Sequence, residues 1–164
     1  MTEKCGTNCT ENHYHPKIHL IQYLEDTDGI LNKKCEPIVE ITKEIDEFIE
    51  DMRATMHCFN GLAIAAPQVG KNLQIIVING AVYGAEDTII INPEIVTLAG
   101  EKKLDMEFCL SFPLGKYKTR FTEIELKCKD REMKNGIIFE DNPIKARILQ
   151  HEIDHLNGKT LLDD

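Results

Sequence analysis

The sequence predicts an α+β protein, with strands grouped along the middle of the chain and its strongest helix near the end. Three observations carry that expectation. Its 164 residues suffice for one hydrophobic core and rarely for two. Strand patterns follow one another with little βαβ alternation, which argues against a doubly wound sheet. The last helix is apolar around most of its circumference and so belongs in a core. No internal repeat or linker divides the chain. One domain is expected over residues 18–164, behind a flexible polar leader over residues 1–17.

In that leader, Cys5, Cys9, His13 and His15 are the only features, and a flexible segment is favoured there over a zinc site. Hydrophobic patterning begins at Ile18 and Leu20, and Asp26-Thr-Asp-Gly29 reads as a turn. From about Thr42 to Cys58 the residues Ile45, Phe48, Ile49, Met52 and Met56 recur at helical spacing. Glu44, Asp46, Glu47, Glu50 and Asp51 fill most of the other side, an acidic face that needs no partner to explain it. Asn60-Gly61 ends this helix, and the small apolar segment Gly61–Gly70 follows with a single amide, Gln68.

Leu73–Ile78 is apolar at nearly every position and rich in β-branched residues, as in a strand buried on both faces. Thr88–Ile91 reads as a short strand stopped by Asn92-Pro93. Ile124, Leu126 and Cys128 alternate with Glu123, Glu125 and Lys127, the pattern of a half-buried strand. Asn135-Gly136 is a hairpin-type turn, with the returning strand over Gly136–Phe139.

Composition narrows the function. Lys and Arg number 19 against 28 Asp and Glu, a net charge of −9, so a broad nucleic-acid surface is not expected. No membrane helix is expected, since no apolar run approaches ~18 residues, and no signal segment, since Met1-Thr-Glu-Lys-Cys-Gly-Thr-Asn8 is polar. The six cysteines, at 5, 9, 35, 58, 109 and 128, read as thiols of a reducing, cytoplasmic compartment.

The last helix carries the chemistry. Asn142-Pro143 supplies an N-cap and a proline at the first helical position, and Gly158 marks its end. Between them, His151-Glu-Ile-Asp-His155 puts two imidazoles one turn apart on one face. Buried histidines need polar partners or a metal. Composition alone produces H-E-x-x-H in roughly 2 of 100 such chains, and Glu152 sets a carboxylate beside the pair. A metal site is therefore expected. Only nine residues follow His155, with Asp163 and Asp164 their sole acids, so the third ligand is expected upstream. An upstream cysteine suits that role, because a thiolate with two imidazoles makes an open catalytic site.

Glu107-Phe-Cys-Leu-Ser111 alone does not distinguish Cys109 from the other cysteines. Taken in order with Gly61-Leu-Ala-Ile-Ala-Ala-Pro-Gln68 and Gln150-His-Glu-Ile-Asp-His155, it resembles the three motifs of peptide deformylase. The likeness covers roughly residues 18–164. It implies β-sheets, mixed or antiparallel, packed around a central metal-binding helix. It implies removal of the formyl group from N-terminal formyl-methionine of nascent polypeptides, near the ribosome exit. Cys109, His151 and His155 would hold one divalent metal, ferrous iron (Fe2+) in the cell, with zinc, nickel or cobalt as substitutes. Glu152 would be the general acid/base, and Gln68 and the Leu110 N–H would hold the oxyanion. Leu62, Ala63 and Phe108 would contact a peptide bound as an added strand. Ala63 and Phe108 stand where the family usually has glycine, which bears on substrate preference more than on chemistry.

Two other readings share these residues. One is an H-E-x-x-H zinc endopeptidase, which would not need Cys109. The other is a non-catalytic relative that binds peptide or metal without turnover. Glu107 and Arg120 are either an ion pair supporting the site or two unrelated surface charges. An apolar pocket for methionine is expected beside the His151 helix and the strand near Ile124 and Leu126.

Overall fold

Five strands in chain order build one antiparallel sheet: β1 (Ala63–Ala65), β2 (Ile75–Ile78), β3 (Thr88–Glu107), β4 (Lys116–Lys129) and β5 (Asn135–Glu140). The computed structural model describes residues 14–163. The zinc reading weighed for Cys5, Cys9, His13 and His15 therefore falls, apart from His15, outside the described residues. Helix α1 (Lys43–Cys58) precedes the sheet, the short α2 (Gly80–Tyr83) follows β2, and α3 (Pro143–Leu156) follows β5. The α+β class is thus observed. No helix among the described residues is long and apolar enough to cross a membrane.

The alternation of side chains along a strand explains why every residue of β2 is buried. Ile75 and Val77 join the core under α1, with Phe48, Ile49, Met52 and Met56. Ile76 and Ile78 join the core under α3, with Leu149, Ile153 and Leu156. The two helices thus sandwich the sheet. Both are capped as their sequences suggest. Thr42 Oγ1 accepts the Ile45 N–H at 3.3 Å, and Asn142 Oδ1 accepts those of Ile144 and Lys145 at 3.0 and 3.3 Å.

Two expectations are corrected. Asn92-Pro93 does not end β3. Asn92 takes a left-handed φ of 49° and the ladder shifts register between Ile91 and Glu94, so the pair forms an irregularity inside a longer strand. The Asn92 amide bonds both backbone groups of Ile38, at 2.8 and 2.7 Å, which holds that conformation. The β4–β5 turn also lies earlier than Asn135-Gly136, since those residues already pair with Lys129 and Cys128. Asp130 Oδ1 accepts the N–H groups of Glu132 and Lys134, and Met133 takes the positive φ, 60°. An Asp side chain here does the work expected of Asn-Gly.

The acidic face of α1 is paired in part within the chain. Arg131, from that turn, meets Asp46 and Glu50 at 2.6 and 2.7 Å, and Lys71 meets Glu44 at 2.8 Å.

Candidate metal centre

Helical periodicity brings His151 and His155 to one face of α3, and the end of β3 delivers Cys109 opposite them. One donor atom from each of Cys109, His151 and His155 lies within 4.8 Å of the others, and all three residues are buried. Cys109 Sγ stands 3.2 Å from His155 Nε2. A thiolate and two imidazoles at this spacing suit a divalent ion of borderline softness. Local helix geometry pairs the two histidines, and the fold brings Cys109 to them from more than 40 residues away.

Glu107 orients the set. Its Oε2 lies 3.0 Å from His151 Nδ1, which leaves Nε2 of that ring for coordination. Its Oε1 accepts from Arg120 Nε at 2.8 Å and from Arg147 at 2.7 Å. Arg120 also reaches Asp154, at 2.5 Å. Glu107 and Arg120 are therefore an ion pair behind the site. Burial alone would raise the Glu107 carboxyl, but hydrogen bonds from His151 and Arg120 outweigh it and hold the group at about 2. Burial lowers His151, yet its bonds to Cys109 and Glu107 prevail and raise it to about 10. His155 is driven well down by burial and by the charges of His151 and Arg120, which keeps it a neutral nitrogen donor.

Glu152, between the histidines, is 5% exposed, and its Oε2 has no hydrogen-bond partner among the described residues. Burial raises its carboxyl to about 7, with Glu107 adding to that and His151 opposing it. Gln68 arrives on the short 3-10 turn after β1. Its Oε1 accepts the Ala65 N–H at 2.9 Å, which directs Nε2 towards Cys109 Sγ (3.4 Å) and Ser111 Oγ (3.2 Å). Leu110 follows Cys109 in a tight turn closed by the Phe112 N–H on Cys109 O, at 3.1 Å.

A cavity of about 350 Å³ joins these residues, with Gln68, Cys109, Leu110, His151 and Glu152 in its wall. Leu62 and Phe108, 55% and 77% exposed, also line it. Ala63 lies in the same wall, and its side chain packs into the core under α3. Leu62 O accepts the Asn79 N–H at 2.9 Å, so the next peptide groups, those of Ala63, point away from β2 to the open edge of the sheet. The expected apolar pocket is only half right. Ile144 and Ile148 of α3 line the cavity, whereas Ile124 and Leu126 are sealed in the core beneath that helix.

Arg147, Asp154 and Ser111 belong to the site and escaped the sequence reading. Arg147 stands one turn before His151, a spacing that would have found it. Asp154 reads as the helix's solvent side, and Ser111 as a turn residue.

A buried H-E-x-x-H helix facing a cysteine thiol, with a carboxylate lining the adjoining cavity, defines a metal-dependent hydrolase. The profile described as polypeptide deformylase matches residues 19–164. A peptide deformylase of Lachnoclostridium phytofermentans is 44% identical over 133 residues, 80% of each chain. One from Dictyoglomus thermophilum is 38% identical over 83% of this chain and 86% of its own length. The crystal structure of a peptide deformylase from Legionella pneumophila superposes with a TM-score of 0.82 at 36% identity, over 90% of this chain and 85% of that one. The chain belongs to the polypeptide deformylase family and is an enzyme of that kind, a metal-dependent hydrolase that removes the formyl group from the N terminus of formyl-methionyl polypeptides. The endopeptidase reading is thereby set aside.

Proposed function

We propose that Cys109, His151 and His155 hold a ferrous ion, with zinc, nickel or cobalt able to replace it, and that Glu152 is the general acid/base. The proximity of the three donor atoms, beside a cavity that Glu152 lines, carries this reading. When bound, a divalent ion there acidifies a water towards neutral pH and draws charge from the formyl oxygen. Glu152 takes the proton of the attacking water and returns it to the departing amine. A buried carboxyl raised above its ordinary range suits both transfers. The Gln68 Nε2 and Leu110 N–H donate to the oxygen that becomes negative when the formyl carbon turns tetrahedral, each worth about 3 kcal/mol of barrier. Formate and a free amine leave.

The substrate lies extended along β1, bonded through the backbone at Ala63, with Leu62 and Phe108 against its side chains. The apolar wall of Ile144 and Ile148 receives the methionine side chain. Residues 18–164 serve as one catalytic unit, acting in the cytoplasm on formyl-methionyl nascent chains near the ribosome exit, without membrane or direct nucleic-acid contact. A thiolate beside ferrous iron makes such a site sensitive to oxygen.

The test is formate release from formyl-Met-Ala-Ser by anaerobically prepared, iron-loaded enzyme, with Glu152→Ala beside it. Turnover in the wild type, and a 10²- to 10⁴-fold lower kcat in a mutant that still holds metal, are expected. A mutant with full kcat would overturn the role of Glu152. A metal-loaded wild type without turnover would favour a binding-only relative.

A further inference from the structure

Outside the three motifs, the segment before α1 runs behind the site and touches both of its loops. The Ile21 N–H donates to Gln68 O at 2.8 Å, and the Tyr23 N–H to Ser111 O at 2.9 Å. Between these two backbone bonds, Gln22 Nε2 donates to Leu110 O at 2.9 Å. The Tyr23 ring stacks on Phe112, with centroids 4.7 Å apart. This segment therefore meets the Cys109–Phe112 turn through three consecutive residues, Leu110, Ser111 and Phe112.

The middle peptide of a β-turn is its loose point. Rotating the Leu110–Ser111 peptide by about half a turn exchanges type I for type II geometry with little motion of the flanking chain. Such a flip would carry Leu110 O to the other side of the turn. It would also change φ of Ser111, and with it the place of the hydroxyl that accepts from Gln68 Nε2 at 3.2 Å. Only one peptide orientation presents Leu110 O to Gln22. The outer peptide of the turn is already pinned by Phe112 N–H on Cys109 O. Gln22 thus supplies the side-chain bond that selects the rotation of the central peptide.

We infer that Gln22 is a positioning residue: it locks the Leu110–Ser111 peptide in the one rotation that places the Ser111 hydroxyl and, through it, the Gln68 amide at the reacting oxygen. This rests on the oxyanion role proposed above for Gln68. It adds a residue that touches neither metal nor substrate. Since that amide serves a charge that develops only after substrate binds, its misplacement costs kcat and spares KM.

The experiment compares wild type, Gln22→Ala, Gln22→Glu and Gln22→Lys in the metal-loaded enzyme, with Gln68→Ala alongside. Gln22→Glu keeps the shape and loses the donor, whereas Gln22→Lys keeps a donor of similar reach. Gln22→Ala and Gln22→Glu are expected to lower kcat by about tenfold. KM, bound metal and Tm should stay at wild-type values, and Gln22→Lys should recover most of the rate. The Gln22→Ala effect should also vanish in a Gln68→Ala background, since a displaced donor cannot be lost twice. Wild-type kcat in Gln22→Ala, beside a slow Gln68→Ala, would overturn the Gln22 role alone. Wild-type kcat in Gln68→Ala would overturn the oxyanion reading and this inference with it. A Gln22→Ala loss that follows lowered metal content or Tm, unrelieved by Gln22→Lys, would reduce Gln22 to an ordinary tie.

Discussion

Helices α1 and α3 pack on opposite faces of the same sheet, and they bury opposite kinds of chemistry. α1 turns Phe48, Ile49, Met52 and Met56 inward and keeps its charges outside, in pairs such as Arg131 with Asp46 that remain partly exposed. α3 buries Gln150, His151, Glu152 and His155 alongside its apolar residues. Both faces are held by area removed from water, and the α3 face carries in addition a polar network whose charges need their partners. The difference teaches how a small domain carries a buried polar site. The α1 face supplies packing that demands nothing of the chemistry, so the α3 face can be spent on orientation.

Removing the hub of the network should have the largest effect on stability. Glu107→Ala leaves Arg120, Arg147 and His151 without their shared carboxylate, and about 3–5 kcal/mol should be lost in urea unfolding. Metal affinity should fall by about 10- to 100-fold in the same variant, because His151 loses the partner that orients it. A variant as stable and as metal-retentive as wild type would remove the contrast between the two faces.

Met52→Ala should cost about 2–5 kcal/mol by opening a cavity on the α1 face. Its kcat per folded, metal-loaded molecule should match wild type. A kcat loss there would show that the two faces are coupled through the sheet.

Acid sharpens the contrast further. Glu107 sits at about 2 in the folded chain against 4.5 when free, so the unfolded chain takes up its proton first. The stabilisation is complete above 4.5 and is lost as pH falls towards 2. The gap in Tm between wild type and Glu107→Gln should therefore narrow through that window. A gap independent of pH would mean that the carboxylate charge contributes nothing. The smallest effect belongs to Arg131→Ala, at most about 1 kcal/mol, because its pairs with Asp46 and Glu50 are partly solvated.

The same division explains what could be read from the residues alone. The helix periodicity around Phe48 and Met52, the continuous apolar run of Ile75–Ile78 and the H-E-x-x-H face were legible because burial writes a pattern. The far half of β3 and the start of β4 were not. From Glu94 to Met106 and from Lys116 to Phe121 the ribbon is exposed or only partly buried, so neither face leaves a clean alternation, and register shifts break what remains. Within the site, His151, Glu152 and His155 stood out by their spacing on one helix, and Cys109 by the order of the three motifs. Asp154 was missed because a carboxylate on a helix looks the same whether it meets water or a guanidinium 34 residues away. Nothing near Gln22 in the chain announces that it meets Leu110.

β1, finally, is an edge of only three residues, leaving ~10 Å of outward-facing backbone. A longer bare edge would invite copies of the protein to join sheet to sheet and grow into fibrils. This one is too short to template such growth, yet it can clasp the first few peptide units of another chain. Main-chain bonds are blind to side-chain identity. A clasp of this kind would let one enzyme accept the beginnings of very different polypeptides, from an edge too short to seed sheet-to-sheet growth itself.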